Sequence, residues 1–226
     1  MTKLTKDYFD LYSLRMKNEG FRARSAYKLL EIEEQFRIFA GVQKVLDLCG
    51  APGSWSQVLS RHIERSPQRK LVAVDLQHIG EIDGVEIIQG DICNKSTLEK
   101  VCNLFNNCKI DLVVCDGAPD VAGLNSTAED LQFSLIYSAL IFCNQLLKKN
   151  GTFVCKTFMG KRQHLTQFIT SLFFSHCHFY KPKSSRKESS EIFLIATGFT
   201  YNKDYENSFM FDHEVILQKL ISSINE

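Results

Sequence analysis

Residues 44–57, KVLDLCGAPGSWSQ, decide the fold. KVLDL (44–48) is a short, mostly apolar run of strand length. Gly50, Pro52 and Gly53 then form a tight turn, and a helix is predicted from Ser54 or Trp55. A glycine turn between a first strand and a helix lets a ligand approach the backbone closely. Such a turn sits at the carboxyl edge of a sheet, where nucleotide-type cofactors bind. The glycine spacing departs from G-x-G-x-x-G, which weakens a dinucleotide reading.

Outward from this turn the alternation repeats. Apolar runs follow at KLVAVDL (70–76), VEIIQGD (85–91), IDLVVCD (110–116), GTFVCKTF (151–158), HCHFYKP (176–182) and EIFLIATG (191–198). Helices are predicted between them over 55–65, 95–106, 128–148 and 161–174, and before the first strand over 3–19 and 24–37. Ser25 is the expected N-cap of the segment RSAYKLLEIEEQFR. Strand–helix alternation of this kind gives an α/β fold, with a mostly parallel sheet covered on both faces. Residues 1–200 read as one domain, with 201–226 as an acidic C-terminal extension.

A length of 226 residues suits one such domain, and 44% hydrophobic with 23% charged residues excludes a disordered chain. No apolar run reaches the length of a membrane span. None of the eight cysteines forms a C-x-x-C pair. Several lie in apolar runs and read as small buried hydrophobes of a reducing compartment, which points to the cytoplasm. His176-Cys177-His178 places two histidines on one strand face, but no third ligand is evident, so no metal is expected. Packing of Phe173, Phe174 and Phe179 accounts for that segment more simply.

Two acids extend the cofactor reading. Asp75 ends the second strand, where a carboxylate can accept from ribose hydroxyls. Asp91 follows the third strand, within reach of an adenine amino group. With the 47–57 turn they outline adenosine on three successive loops of one sheet edge. The lack of a phosphate-cradling loop favours S-adenosylmethionine over NAD or ATP.

The formal net charge of +1 argues at face value against a nucleic-acid binder. It conceals segregation. Residues 1–28 hold seven basic residues against three acids, and residues 200–226 hold two against five. Basic clusters fall at Arg22, Arg24 and Lys28, at Lys161 and Arg162, and at Lys181, Lys183, Arg186 and Lys187. In the fold proposed, all border the cofactor edge and make a candidate groove for RNA phosphates. Tyr27 is either a base-stacking residue or a core residue.

Residues 21–60, FRARSAYKLLEIEEQFRIFAGVQKVLDLCGAPGSWSQVLS, resemble the start of the FtsJ (RrmJ) family of RNA ribose 2′-O-methyltransferases. LVVCDGAPDVAGL (112–124), FVCKTFMGK (153–161) and KPKSSRKESSEIFLIATG (181–198) are similar to its later motifs, in order. The resemblance covers roughly residues 5–200. AVDLQ (73–77) and CDGAPDV (115–121) are most similar to the eukaryotic branch that methylates the tRNA anticodon loop.

The resemblance implies a Rossmann-like class I methyltransferase: a seven-stranded, mostly parallel sheet with an antiparallel last strand. It implies S-adenosylmethionine as cofactor, bound by Gly53, Trp55, Asp75, Asp91 and Asp116, and tRNA as substrate. It further implies separate protein subunits that select the nucleotide. The family's Lys–Asp–Lys–Glu tetrad falls on Lys28, Asp116, Lys156 and Glu191, with residues 1–40 on the substrate side. Lys156 is then the general base or the group that orients the 2′-hydroxyl. Met159 stands where that branch usually has Arg, and GLNSTAED (123–130) replaces a GLHD-type loop. Three other readings stay open: an rRNA or mRNA-cap 2′-O-methyltransferase, a non-catalytic RNA-binding subunit, and, more distantly, an NAD-dependent oxidoreductase.

Overall fold

The structure, a computed structural model, describes residues 3–119, 128–160 and 162–203, with side chains from residue 11 onward. Lys161, residues 120–127 and most of the expected acidic extension lie outside the described residues. The chain runs α1(Lys3–Glu19), α2(Ala26–Phe36), β1(Lys44–Leu48), α3(Ser54–His62), β2(Lys70–Asp75), β3(Val85–Gln89), α4(Lys95–Leu104), β4(Ile110–Cys115), α5(Ala128–Leu146), β5(Leu147–Phe158), α6(Gln163–Ser171), β6(Phe174–Tyr180) and β7(Glu191–Phe199).

All seven strands join one sheet, in the order β3-β2-β1-β4-β5-β7-β6. The first five run parallel, and β7 runs antiparallel to both β5 and β6. The order reverses direction between β1 and β4, where α/β sheets open a crevice at their carboxyl edge.

Strand periodicity separates two cores. Leu46, Leu48, Val113, Phe153 and Leu194 point to the face covered by α4, α5 and α6. Val45, Val114, Val154, Phe193 and Ile195 point to the face covered by α2 and α3, with Tyr12 and Met16 of α1 added. Trp55 and Phe193 pack at 5.6 Å between ring centroids and anchor the second core. Burying one such side chain contributes about 2–3 kcal/mol.

Three local expectations shift. Ser25 sits at the N-cap position of α2, but its hydroxyl pairs with Ser54 Oγ at 2.6 Å and caps no backbone N–H. The start of α3 lies against it, and the Trp55 indole donates to the Ser25 carbonyl at 2.8 Å. β5 begins at Leu147, four residues before its predicted start, because Leu147 pairs with Ile110 ahead of an irregular register. The polar residues Lys148, Lys149 and Asn150 give that stretch no strand signature. β6 begins at Phe174, which pairs with Phe199, and it stops at Tyr180, short of the donor-less Pro182.

Candidate active site

Strand register assembles the polar centre. Lys156 pairs with Phe193, and Phe158 pairs with Glu191. Side chains two apart share a face, so Lys156 and Glu191 project on the side of Val154 and Phe193. Asp116 stands two residues beyond Val114 and projects the same way. This is the face that α2 covers, and α2 carries Lys28.

The contacts close the arrangement. Lys28 Nζ lies 2.8 Å from both carboxylate oxygens of Glu191. Lys156 Nζ donates to the Asp116 main-chain carbonyl at 2.7 Å and lies 3.3 Å from Asp116 Oδ1. That Oδ1 is buried and accepts no hydrogen bond. Burial pushes the Asp116 carboxyl up, against the charges of Lys156 and Lys28. Burial pushes Glu191 the same way, but Lys28, the Ser185 hydroxyl and Lys156 outweigh it, and its carboxyl ends below the usual range. Each carboxylate thus feels both ammonium groups. The four predicted tetrad residues form one electrostatic unit.

A cavity of about 1160 Å³ opens beside this unit. Its wall includes Cys49, Ala51, Asp75, Leu76, Gly90, Asp91, Asp116, Gly117, Asp130, Lys156 and Arg162. Two of the predicted cofactor residues besides Asp116, namely Asp75 and Asp91, stand on that wall. Asp75 Oδ2 accepts from Ala51 N at 2.9 Å and Oδ1 accepts from Gln77 N at 2.7 Å, fastening the loops after β1 and β2 to each other. Asp91 Oδ1 accepts from Cys93 N at 2.8 Å.

Gly53 and Trp55 lie elsewhere. Trp55 is 2% exposed, within the core. Gly53 adopts φ +107, and a Cβ there would stand 2.7 Å from Arg22 Nη1, behind the cavity. Its role at this distance is close packing of the turn.

The four carboxylates on the wall outnumber its two cationic side chains. Both cations are already paired, Lys156 with Asp116 and Arg162 with Asp130 at 2.6 Å. Such a lining fits a cationic sulfonium cofactor with an adenosine moiety. Among the described residues the lining offers no unpaired cation to a pyrophosphate.

The residues predicted to grip RNA divide. Arg24 is half-buried and Arg186 is exposed; burial and the Arg186 charge lower the Arg24 guanidinium, while Glu191 opposes this. These two cations therefore flank the tetrad. Lys183 is exposed nearby, its backbone N–H bound to the Glu31 carboxylate. Lys181, by contrast, donates to Ser189 O at 2.6 Å and Lys187 O at 3.2 Å, and so serves its own loop. Arg162 is committed to Asp130. The Arg22 guanidinium donates to the main-chain carbonyls of Pro52, Gly80 and Glu81. The fold engages donors of these three in internal contacts. Tyr27 is a core residue, 2% exposed and packed against Tyr12 and Phe21.

Three contributors carry no sequence signal of their own. Ser185 Oγ donates to Glu191 Oε1 at 2.8 Å. Gln132 Nε2 donates to Lys156 O at 2.8 Å and to Gly117 O at 3.2 Å, joining the ends of β4 and β5 from within α5. Asp47 is 2% exposed, accepts from Ser56 Oγ at 2.5 Å, and leaves Oδ1 without a partner. Burial is the main force that drives its carboxyl up to about 7; the Ser56 hydroxyl opposes this, and the charges of Asp116 and Asp75 add to it. A polar residue inside the apolar run of α5, or inside KVLDL, was the one available hint.

All eight cysteines are free thiols. Among the described residues no three His, Cys, Asp or Glu side chains gather as a metal site, and no helix is long and apolar enough to cross a membrane. His176 and His178 are exposed on the edge strand β6.

Comparison with known proteins agrees with this geometry. A mouse protein named tRNA (cytidine(32)/guanosine(34)-2′-O)-methyltransferase is 45% identical over 199 residues, which is 88% of this chain but 61% of the mouse protein. A Dictyostelium discoideum protein carrying that enzyme name is 44% identical over 224 residues, 96% of this chain and 83% of its own. A solved structure from Plasmodium falciparum, named as a ribosomal RNA methyltransferase, superposes with a TM-score of 0.70 at 26% identity, over 80% of this chain and 100% of its own. The sequence model described as FtsJ-like methyltransferase matches residues 21–199, and the chain is a member of that family.

Proposed function

We propose that this protein transfers a methyl group from S-adenosylmethionine to a ribose 2′-hydroxyl in the anticodon loop of tRNA. The observation that carries the reading is the convergence of Lys28, Asp116, Lys156 and Glu191 at the rim of an acid-lined cavity. The names of the mouse and Dictyostelium relatives support tRNA as substrate. The rRNA alternative rests on lower identity: 38% over 190 residues with a Francisella tularensis protein named ribosomal RNA large subunit methyltransferase E, and 26% with the Plasmodium structure.

Asp75 and Asp91 hold the ribose and adenine of the cofactor, and Asp116 lies at the inner wall. When bound, S-adenosylmethionine supplies an electrophilic methyl on sulfur; the 2′-oxygen bonds to that carbon as the C–S bond breaks. Lys156 places its ammonium where the nucleophilic oxygen must sit. One of its donors is held by the Asp116 carbonyl, which fixes the Nζ position. Its remaining donors orient the 2′-oxygen and stabilise negative charge there as the hydroxyl proton passes to water. The Lys28–Glu191 pair holds the opposite side of the same ribose. Arg24, Lys183 and Arg186 supply phosphate contacts beside it. Eight free thiols fit a reducing compartment, the cytoplasm on this reading. Separate protein subunits select the nucleotide, and exposed Leu14 and Phe168 offer them apolar surface.

Mass spectrometry of anticodon-loop nucleosides tests the reading. Incubation of unmodified tRNA with protein and cofactor is expected to yield a 2′-O-methylated nucleoside, and Lys156→Ala is expected to yield none while still binding cofactor. Equal methylation by the variant would overturn the assignment of Lys156.

A further inference from the structure

Arg22 stands between the N-terminal helices and the cofactor cavity. Its guanidinium Nη1 donates to Pro52 O at 2.9 Å and to Gly80 O at 2.9 Å, and Nη2 donates to Glu81 O at 2.8 Å. Pro52 belongs to the turn after β1. Gly80 and Glu81 belong to the segment between β2 and β3. Both segments border the cavity, which Ala51 and Gln77 line. One planar cation therefore staples two cofactor loops from behind, while Asp75 fastens Ala51 and Gln77 from the front.

The packing is built for this staple. A Cβ at Gly53 would stand 2.7 Å from Arg22 Nη1, and a Cβ at Gly80 would stand 3.3 Å from Nη2. The backbone on either side is also fixed. Arg22 N donates to Gln57 Oε1 at 2.8 Å, and Gln57 Nε2 donates to Gly20 O at 3.0 Å. Residues 20–22 are thus locked onto α3, four residues ahead of the helix that carries Lys28.

We propose that Arg22 is a positioning residue for the S-adenosylmethionine site, setting cofactor affinity by holding the 50–53 turn against the 79–82 segment, and that it is not a phosphate contact. The proposal rests on the cavity being the S-adenosylmethionine site. The fork geometry is what matters. A lysine keeps the charge but cannot reach three carbonyls from one plane.

That difference supplies the test. Arg22→Lys and Arg22→Ala are compared with wild type by calorimetric titration of S-adenosylmethionine, by tRNA binding at several salt concentrations, and by amide hydrogen exchange of the protein without cofactor. Both variants are expected to bind cofactor about tenfold or more weakly. Both are expected to exchange faster at 50–54 and 79–83, with tRNA affinity and its salt slope unchanged. Circular dichroism confirms folding, and Arg22→Lys keeps the test intact where Arg22→Ala fails to fold. The proposal is overturned if Arg22→Lys matches wild type in cofactor affinity and exchange while Arg22→Ala weakens tRNA binding and lowers the salt slope by about one. A wild-type protein that fails to bind S-adenosylmethionine would instead overturn the reading of the cavity, and the exchange measurement would still decide the staple.

Discussion

Lys28 and Glu191 are 163 positions apart in the chain, yet the Lys28 ammonium lies 2.8 Å from both oxygens of the Glu191 carboxylate. The two side chains are 17% and 15% exposed, so neither charge is fully hydrated. Removing one partner strands the other. Lys28→Ala is expected to destabilise the protein by roughly 2–3 kcal/mol in urea unfolding, somewhat below the cost for fully buried pairs. The double variant Lys28→Met/Glu191→Leu is expected to recover part of that loss. Additive losses would show that the pair is not coupled.

Ser185 completes the Glu191 site by donating to Oε1. It is one of the groups that hold the Glu191 carboxyl below the usual range, after burial and Lys28 have had their larger and opposing effects. Ser185→Ala is expected to lower kcat about five- to tenfold with unchanged cofactor affinity. The acid limb of the pH–rate profile is expected to move up, since Glu191 then takes up its proton at higher pH. Ser185→Thr keeps the hydroxyl and is expected to restore the limb. An unmoved acid limb in Ser185→Ala would mean the hydroxyl only packs.

Asp47 makes the opposite contribution to stability. Its folded-state value of about 7 stands above its ordinary value of 3.8. The folded state therefore binds this proton more tightly than the unfolded chain. No penalty applies below the ordinary value, and the penalty grows as pH rises to about 7. At about 1.4 kcal/mol per unit the full effect is on the order of a few kcal/mol. Melting temperature is expected to fall between pH 5 and pH 8, and Asp47→Asn is expected to flatten that slope. A slope that persists in Asp47→Asn would assign it to other groups; Asp116, whose carboxyl is also raised, is the first to try.

Gln132 holds the carbonyls of Gly117 and Lys156 from a buried position on α5. Gln132→Leu leaves both carbonyls without that donor, at a cost of about 1–3 kcal/mol. The loss frees the strand end that carries Lys156, so kcat is expected to fall more than cofactor affinity. Calorimetry and single-turnover methylation on the same sample separate the two effects.

Most of the sheet was legible from the chain. The runs at 44–48, 70–76, 85–91 and 110–116 are apolar, short and bounded by polar turns, and each became a parallel strand. Lys28, Asp116, Lys156 and Glu191 stand in order within resembling motifs, and the structure brings the four together. What stayed hidden depends on tertiary contact. The carbonyl partners of Arg22 and Lys181 were hidden because a sequence shows charge and not the acceptor that meets it. Ser185 lies in a run of serines and lysines, and only the fold of the 181–191 segment shows which serine reaches Glu191. The start of β5 was missed because its first residues pair through backbone groups alone.

The position of β7 between β5 and β6 has a consequence for biosynthesis. Among the described residues β6 pairs with the sheet through β7 alone, and β6 and β7 follow the other described strands in the chain. Glu191 arrives on β7, opposite a lysine translated near the start of the chain. A nascent polypeptide still tethered to the ribosome before residue 199 therefore has a cofactor edge but no finished centre. On the proposed function, methyl transfer awaits the placing of β7.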